Sequence, residues 1–162
     1  MKGTVICDGR GDATKSTGGV GVVLTVHSDD SWDTISFEEE FSKKIDNTTN
    51  IVAEHLSMQY GMEVAKIAGV TELRIYNDSQ TPVFQLQGKY RTKEAHLKPI
   101  VEKSWKMGSE FESVEVIWVR REETHRADKL AREIDKRGKT ADRPRPGGPL
   151  PQSPPRRNPF VR

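Results

Sequence analysis

The run Val20-Gly21-Val22-Val23-Leu24-Thr25-Val26 constrains the fold more than any other part of the chain. It is apolar at odd and even positions alike, so a strand built from it must be buried on both faces. A packing layer is then needed on each side of the sheet. The flanking segments say what kind of sheet this is. Thr4 to Cys7 is a short β-branched run that ends in a predicted loop, Asp8-Gly9-Arg10-Gly11-Asp12. On the other side, the polar turn His27 to Ser31 leads to Thr34 to Phe41, which is polar enough to read as an edge strand. Three strands in a row with short connections predict an antiparallel meander.

After the meander the period changes. From Asn50 to Ala68 the residues Ala53, Leu56, Tyr60, Val64 and Ile67 recur at spacings of three and four. This pattern predicts a long amphipathic helix, with Thr48, Thr49 and Asn50 as candidate caps. Gly61 lies inside it, at a cost of about 1 kcal/mol relative to Ala. Leu73 to Asn77 reads as a strand that ends at Asp78, and Ser79 to Leu86 as a short helix with Pro82 in its first turn. Thr92 to Met107 reads as a helix, Val114 to Val119 as a strand, and His125 to Lys136 as a last helix closed by Gly138. The order β-β-β-α-β-α-α-β-α predicts an α/β fold. Its mixed sheet has five strands, three antiparallel and then two parallel, flanked by helices.

The net charge of +2 hides an uneven distribution. Residues 138–162 carry Lys139, Arg143, Arg145, Arg156, Arg157 and Arg162 against Asp142 alone, and seven of the nine prolines lie between Pro144 and Pro159. Such a segment cannot bury a core, so the chain divides into a domain over 1–137 and a disordered or polyproline-like tail over 138–162. The tail suits non-specific contact with nucleic acid or a polyproline-binding partner domain, with an inert end as the default. Cys7 is the only cysteine, which excludes an intramolecular disulfide and fits a reducing compartment. No run approaches the roughly 20 apolar residues that span a bilayer, and the first residues lack a signal-peptide pattern. The expectation is a cytoplasmic monomer with no membrane contact.

Four acidic residues, Asp8, Glu54, Asp78 and Asp128, carry the chemistry. Side chains alternate across a strand, so Asp8 shares a face with Ile6 and Thr4, and Asp78 with Tyr76 and Arg74. Sites in open α/β sheets form beyond the carboxyl ends of strands where the strand order reverses. Glu54 and Asp128 lie in the opening turns of predicted helices, where the dipole favours an anion. Singly, each is an ordinary turn former or dipole partner; the set is what matters. Four carboxylates in one pocket repel each other, and bound hard cations such as Mg²⁺ or Mn²⁺ relieve that repulsion. A two-metal site of this kind cuts or transfers phosphodiesters.

In order along the chain stand Asp8-Gly9, Gly18 to Leu24, Thr49-Asn50 ahead of Glu54, Asp78-Ser79-Gln80, and Arg121-Glu122-Glu123 followed by Ala127 to Ala131. In that order and spacing, from about Cys7 to Ala131, the chain resembles type 1 ribonuclease H. The resemblance implies a ribonuclease H-like fold with a five-stranded mixed sheet, and endonucleolytic cleavage of the RNA strand of an RNA–DNA hybrid, leaving 5′-phosphate and 3′-hydroxyl ends. Asp8, Glu54, Asp78 and Asp128 match the family's metal-binding carboxylates, which implies two Mg²⁺ or Mn²⁺ ions. Thr49 and Asn50 match positions that touch the nucleic-acid backbone, and Gln80, beside Ser79, matches a minor-groove contact. Gly9, Arg10 and Gly11 lie where backbone amides meet an RNA phosphate.

The chain departs from the family pattern in two places. Arg121 stands in the region where many members carry a catalytic-loop His, as in a branch that uses Arg instead, and His125 is a second candidate for that role. The segment between Asp78 and Val114 is too short for the family's basic protrusion. Lys89, Arg91, Lys93, Lys98, Lys103 and Lys106 lie there and are expected either to replace part of it on the DNA strand or to form a solvated helix face. Trp105 aligns with Leu97 and Val101, which predicts core packing. Two alternative readings are a non-catalytic hybrid-binding module and another metal-dependent nuclease or strand-transfer enzyme of the same fold.

Overall fold

The computed structural model of the chain describes residues 1–12, 14, 17–46, 48–137 and 141–145. Strands β1 (Lys2–Gly11), β2 (Gly18–His27) and β3 (Ile35–Lys44) form the antiparallel meander. Helix α1 (Asn50–Ile67) crosses to β4 (Glu72–Asn77), which pairs in parallel with β1. Helices α2 (Gln80–Leu86) and α3 (Lys98–Gly108) lead to β5 (Ser113–Trp118), parallel to β4. A 3₁₀ turn over Arg121–Glu123 introduces α4 (His125–Arg137), and β6 (Ala141–Arg145) follows. The sheet order is β5-β4-β1-β2-β3-β6, so the expected five-stranded mixed sheet is present with one strand added at its edge.

Every residue of β2 is buried, as its two-sided apolar pattern demands. On one face Val5, Cys7, Val22 and Leu24 pack with Met58 and Met62 of α1 and Val101 of α3. On the other, Ile6, Val23, Tyr76 and Ile117 pack with Ala127 and Leu130 of α4. Full burial of a side chain of this size contributes about 1.5–3 kcal/mol. Two glycines let the helices sit against the strand backbone. A Cβ on Gly9 would lie 2.1 Å from the Ala53 carbonyl oxygen, and one on Gly21 would lie 2.3 Å from that of Ala127. The opening turns of α1 and α4 are thereby held at the strand ends. Among the described residues, no helix is long and apolar enough to cross a membrane.

Four expectations need correction. β1 does not end at Cys7: the ladder with β2 runs on from Asp8↔Gly21 to Gly11↔Gly18, so Asp8 to Gly11 are strand rather than loop. α3 begins at Lys98, not Thr92, with Pro99 in its first turn. A proline clashes with the carbonyl four residues before it and is tolerated only there. β3 is not an edge strand, because β6 pairs with it from Ser42↔Ala141 to Glu38↔Arg145. The tail expected to be disordered from 138 onward thus contributes one strand, while 138–140 and 146–162 lie outside the described residues. Pro144 offers no N–H to a ladder, and an outermost strand is where a sheet accepts it.

The β3 residues Glu38 and Glu40 are buried. Arg126 of α4 forms ion pairs with both, at 3.3 Å to Glu40 and closer to Glu38. The Thr25 hydroxyl donates to Glu38 at 3.2 Å. The register also sets Arg143 opposite Glu40 and Arg145 opposite Glu38.

Candidate active site

The parallel pairing of β1 with β4 sets Ile6 beside Tyr76. Two residues further along each chain, Asp8 and Asp78 therefore emerge together just past the point where the β1–β4 pairing ends, Asp8 within β1 and Asp78 after the last residue of β4. Glu54 reaches the same point from α1, which the glycine contact at Gly9 holds against β1. One carboxylate oxygen from each of Asp8, Glu54 and Asp78 can be chosen so that all three lie within 4.8 Å of one another. They stand in a cleft of about 760 Å³.

Glu54, Asp78 and Asp128 are each fixed by a neighbour. The Gly9 N–H donates to Glu54 Oε1 at 2.6 Å, and the Asn77 amide donates to the same oxygen at 3.2 Å. The Thr124 hydroxyl donates to Asp78 Oδ2 at 3.0 Å, and the Trp118 indole N–H donates to the Asp78 carbonyl at 3.0 Å. Asp128, in the opening turns of α4, lines the cleft but stands outside the close triad. It pairs with Arg132 at 3.0 Å.

Burial pushes the Asp8 carboxyl up to about 9, and the charges of Glu54, Asp78 and Asp128 add to the effect. Burial likewise pushes Glu54 up to about 8, against the opposing pull of the Gly9 N–H and the Asn77 amide. No Lys or Arg forms an ion pair with Asp8, Glu54 or Asp78 among the described residues. Three hard oxygen donors at this spread suit a divalent cation such as Mg²⁺. Its ligands lie at about 2.1 Å, so opposite ones stand roughly 4.2 Å apart. The donor set therefore fits the metal chemistry expected from the sequence, and such a cation would supply the countercharge the triad lacks.

The cleft gathers most of the expected site residues. Gly9, Arg10, Gly11, Asn50, Ser79 and Arg121 line it with Asp8, Glu54, Asp78 and Asp128, and so does His125. Arg121 is exposed on the 3₁₀ turn, and Arg10 stands 3.6 Å from Asp135. Thr49 is the cap of α1, its hydroxyl accepting the Val52 N–H at 3.3 Å, and does not line the cleft. Gln80 is exposed at the start of α2, outside the cleft. Lys89 and Arg91 are also exposed outside it, with the Lys89 ammonium 5.4 Å from the Phe84 ring. Lys93, Lys98, Lys103 and Lys106 are exposed as well. Trp105 packs against the core and donates its indole N–H to the Leu86 carbonyl at 2.9 Å.

Sequence reasoning missed three partners of the carboxylates. Arg132 follows Asp128 by four residues on one helix, a spacing that signals such a pair. Thr124 was readable as a cap, and its carbonyl does accept the Asp128 N–H at 2.9 Å to open α4. Its hydroxyl, however, turns to Asp78, which no local pattern indicates. Asn77 signals only its local turn to the Ser79 N–H, because its partners Cys7 and Glu54 lie on other elements.

Known proteins share this fold. The reverse transcriptase-like protein family matches residues 6–134. The bifunctional protein Rv2228c of Mycobacterium tuberculosis is 28% identical over 131 residues, 81% of this chain and 35% of that protein. The chain thus spans about a third of the length of the curated relative. The solved N-terminal RNase H domain of Rv2228c superposes with a TM-score of 0.72 at 26% identity, covering 84% of this chain and 94% of the other. LC11-RNase H1, isolated from compost and solved with an RNA/DNA hybrid, superposes with a TM-score of 0.67 at 25% identity, covering 84% and 98%. The fold is ribonuclease H-like.

Proposed function

Because the chain belongs to the reverse transcriptase-like family over residues 6–134, we propose that it is a ribonuclease H, an endonuclease that hydrolyses the RNA strand of RNA–DNA hybrids. The observation that carries this reading is the oxygen cluster of buried Asp8 and Glu54 with half-buried Asp78 in an open cleft, none of them ion-paired to a Lys or Arg among the described residues. Relatives of the same fold include an RNase H1 solved with an RNA/DNA hybrid.

Two bound Mg²⁺ or Mn²⁺ ions would supply Lewis acidity to the attacking water and to the leaving 3′ oxygen, giving 5′-phosphate and 3′-hydroxyl ends. Asp8, Glu54, Asp78 and Asp128 would hold them. The Gly9 N–H and Asn77 amide keep Glu54 turned to the cleft, and the Thr124 hydroxyl does the same for Asp78. Arg121 brings a guanidinium to the cleft in the role that His plays in other members, and His125 stands beside it. Gly9, Arg10 and Gly11 approach an RNA phosphate, and Thr49, Asn50, Ser79 and Gln80 follow the backbone and minor groove, where 2′-hydroxyls tell RNA from DNA. Lys89, Arg91 and the exposed lysines of α3 take over the DNA strand from an absent basic protrusion. The segment past 145 adds a contact to nucleic acid or a partner protein, and the enzyme acts as a monomer in the cytoplasm.

The test is cleavage of a labelled RNA–DNA hybrid with Mg²⁺, Mn²⁺ or EDTA, beside single-stranded RNA and duplex DNA. Metal-dependent cutting of the hybrid's RNA alone is expected. Binding without cutting would instead favour a non-catalytic hybrid-binding module, and cutting of duplex DNA another nuclease or strand-transfer enzyme of this fold.

A further inference from the structure

We propose that Asn77 is a positioning residue that ties the three carboxylate-bearing segments of the acidic site to one side chain. The inference rests on the metal-binding reading of Asp8, Glu54 and Asp78. Asn77 closes β4 and is wholly buried. Its amide nitrogen lies 3.0 Å from the carbonyl oxygen of Cys7, the residue before Asp8. The same nitrogen lies 3.2 Å from Glu54 Oε1 and 3.4 Å from the hydroxyl of Ser57, one turn further along α1. The side-chain oxygen accepts the N–H of Ser79, the residue after Asp78, at 2.8 Å. One amide thus fastens the β1 end, the opening of α1 and the β4–α2 junction.

The orientation of the amide is fixed by its surroundings. A flipped amide would set its NH₂ against the Ser79 N–H and its oxygen against the Cys7 carbonyl and the Glu54 carboxylate. Ser57 donates its own proton to the Glu54 carbonyl at 2.7 Å, so its oxygen is left to accept. Glu54 Oε1 receives two N–H donors, from Gly9 and from Asn77. The second carboxylate oxygen is then the one available to a cation. No other side chain of this size does the same work: Asp cannot donate, Leu can neither donate nor accept, and Ser reaches only its own local turn.

The experiment is calorimetric titration of the full chain with Mn²⁺, for wild type, Asn77→Leu and Asn77→Ser, beside thermal melts. Serine keeps the local hydrogen bond to Ser79 N–H but cannot reach Glu54, so it decides the matter if the leucine variant does not fold. Partners that orient metal ligands typically contribute about 10–100-fold to metal affinity. Folded variants are therefore expected to bind Mn²⁺ at least about tenfold more weakly. Hybrid cleavage should need correspondingly more metal for half-maximal rate, with the KM for hybrid unchanged. Folded variants that bind Mn²⁺ as tightly as wild type would overturn the role of Asn77 alone. A wild type that takes up no Mn²⁺, or whose uptake is unchanged by Asp8→Asn, would overturn the metal-binding reading and this inference with it.

Discussion

One sheet holds two buried acidic groups, and they have been treated differently. Glu38 and Glu40 are 1% and 2% exposed, Glu54 and Asp8 4% and 7%, so burial does not separate them. The countercharge does. Arg126 lies against both glutamates of β3, whereas among the described residues Asp8, Glu54 and Asp78 form no ion pair with Lys or Arg and meet one another, Asp128, and neutral N–H and hydroxyl donors. A buried carboxylate matched by a guanidinium is finished as structure. One left unmatched in a cleft is held for a cation from outside.

The comparison breaks first at the cleft. Asp8→Asn is expected to lower hybrid cleavage by roughly a thousandfold or more at saturating Mg²⁺. The melting temperature should not fall, because the substitution relieves the cost of burying an ionisable carboxyl among other carboxylates. Cleavage at the wild-type rate would end the assignment of this group to chemistry. Arg126→Met should do the reverse. It strips a guanidinium from two buried carboxylates and should destabilise by about 2–3 kcal/mol, read by urea unfolding. That is less than a fully buried pair would lose, since Arg126 is 38% exposed. Activity per folded molecule should stay at the wild-type level, and adding Glu38→Gln and Glu40→Gln should recover much of the loss.

A pH series sharpens the contrast. The folded-state values of Asp8 and Glu54, about 9 and about 8, lie above their ordinary values of 3.8 and 4.5. Between those limits the native metal-free protein holds protons that the unfolded chain has released. Its stability therefore falls as pH rises from 5 to 9. Melting in EDTA should drop by several degrees across that window, and Asp8→Asn or saturating Mg²⁺ should flatten the slope. The smallest effect belongs to the helix-surface pair. Arg132→Ala should change stability by less than about 0.5 kcal/mol in the same melts.

The sequence made a sheet covered on both faces readable because β2 is apolar at every position that matters, and α1 because its apolar spacing is sustained. The convergence of Asp8 with Asp78 followed from side-chain alternation once the two strands were taken as parallel neighbours, although β1 runs on past Asp8. β6 was not readable: its Arg-Pro-Arg pattern has no apolar alternation, and its place comes from pairing with a strand far away in the chain. The late start of α3 was readable from Pro99, since the rule that admitted Pro82 to a first turn applies equally there. Asn77 and Thr124 stayed hidden because their side chains serve elements distant in sequence.

The parallel seam between β1 and β4 also sets an order in time. β1 meets β2 across one short connection, yet the bond from Asn77 to Cys7 closes a separation of 70 residues. Contacts of that span form slowly, because the entropy of closing a long loop opposes them. During synthesis, the first three strands can assemble as an apolar ribbon well before β4 has emerged. The acidic pocket is thus among the last features to exist, and a nascent chain has no grip on a divalent ion until its sheet has closed around β1.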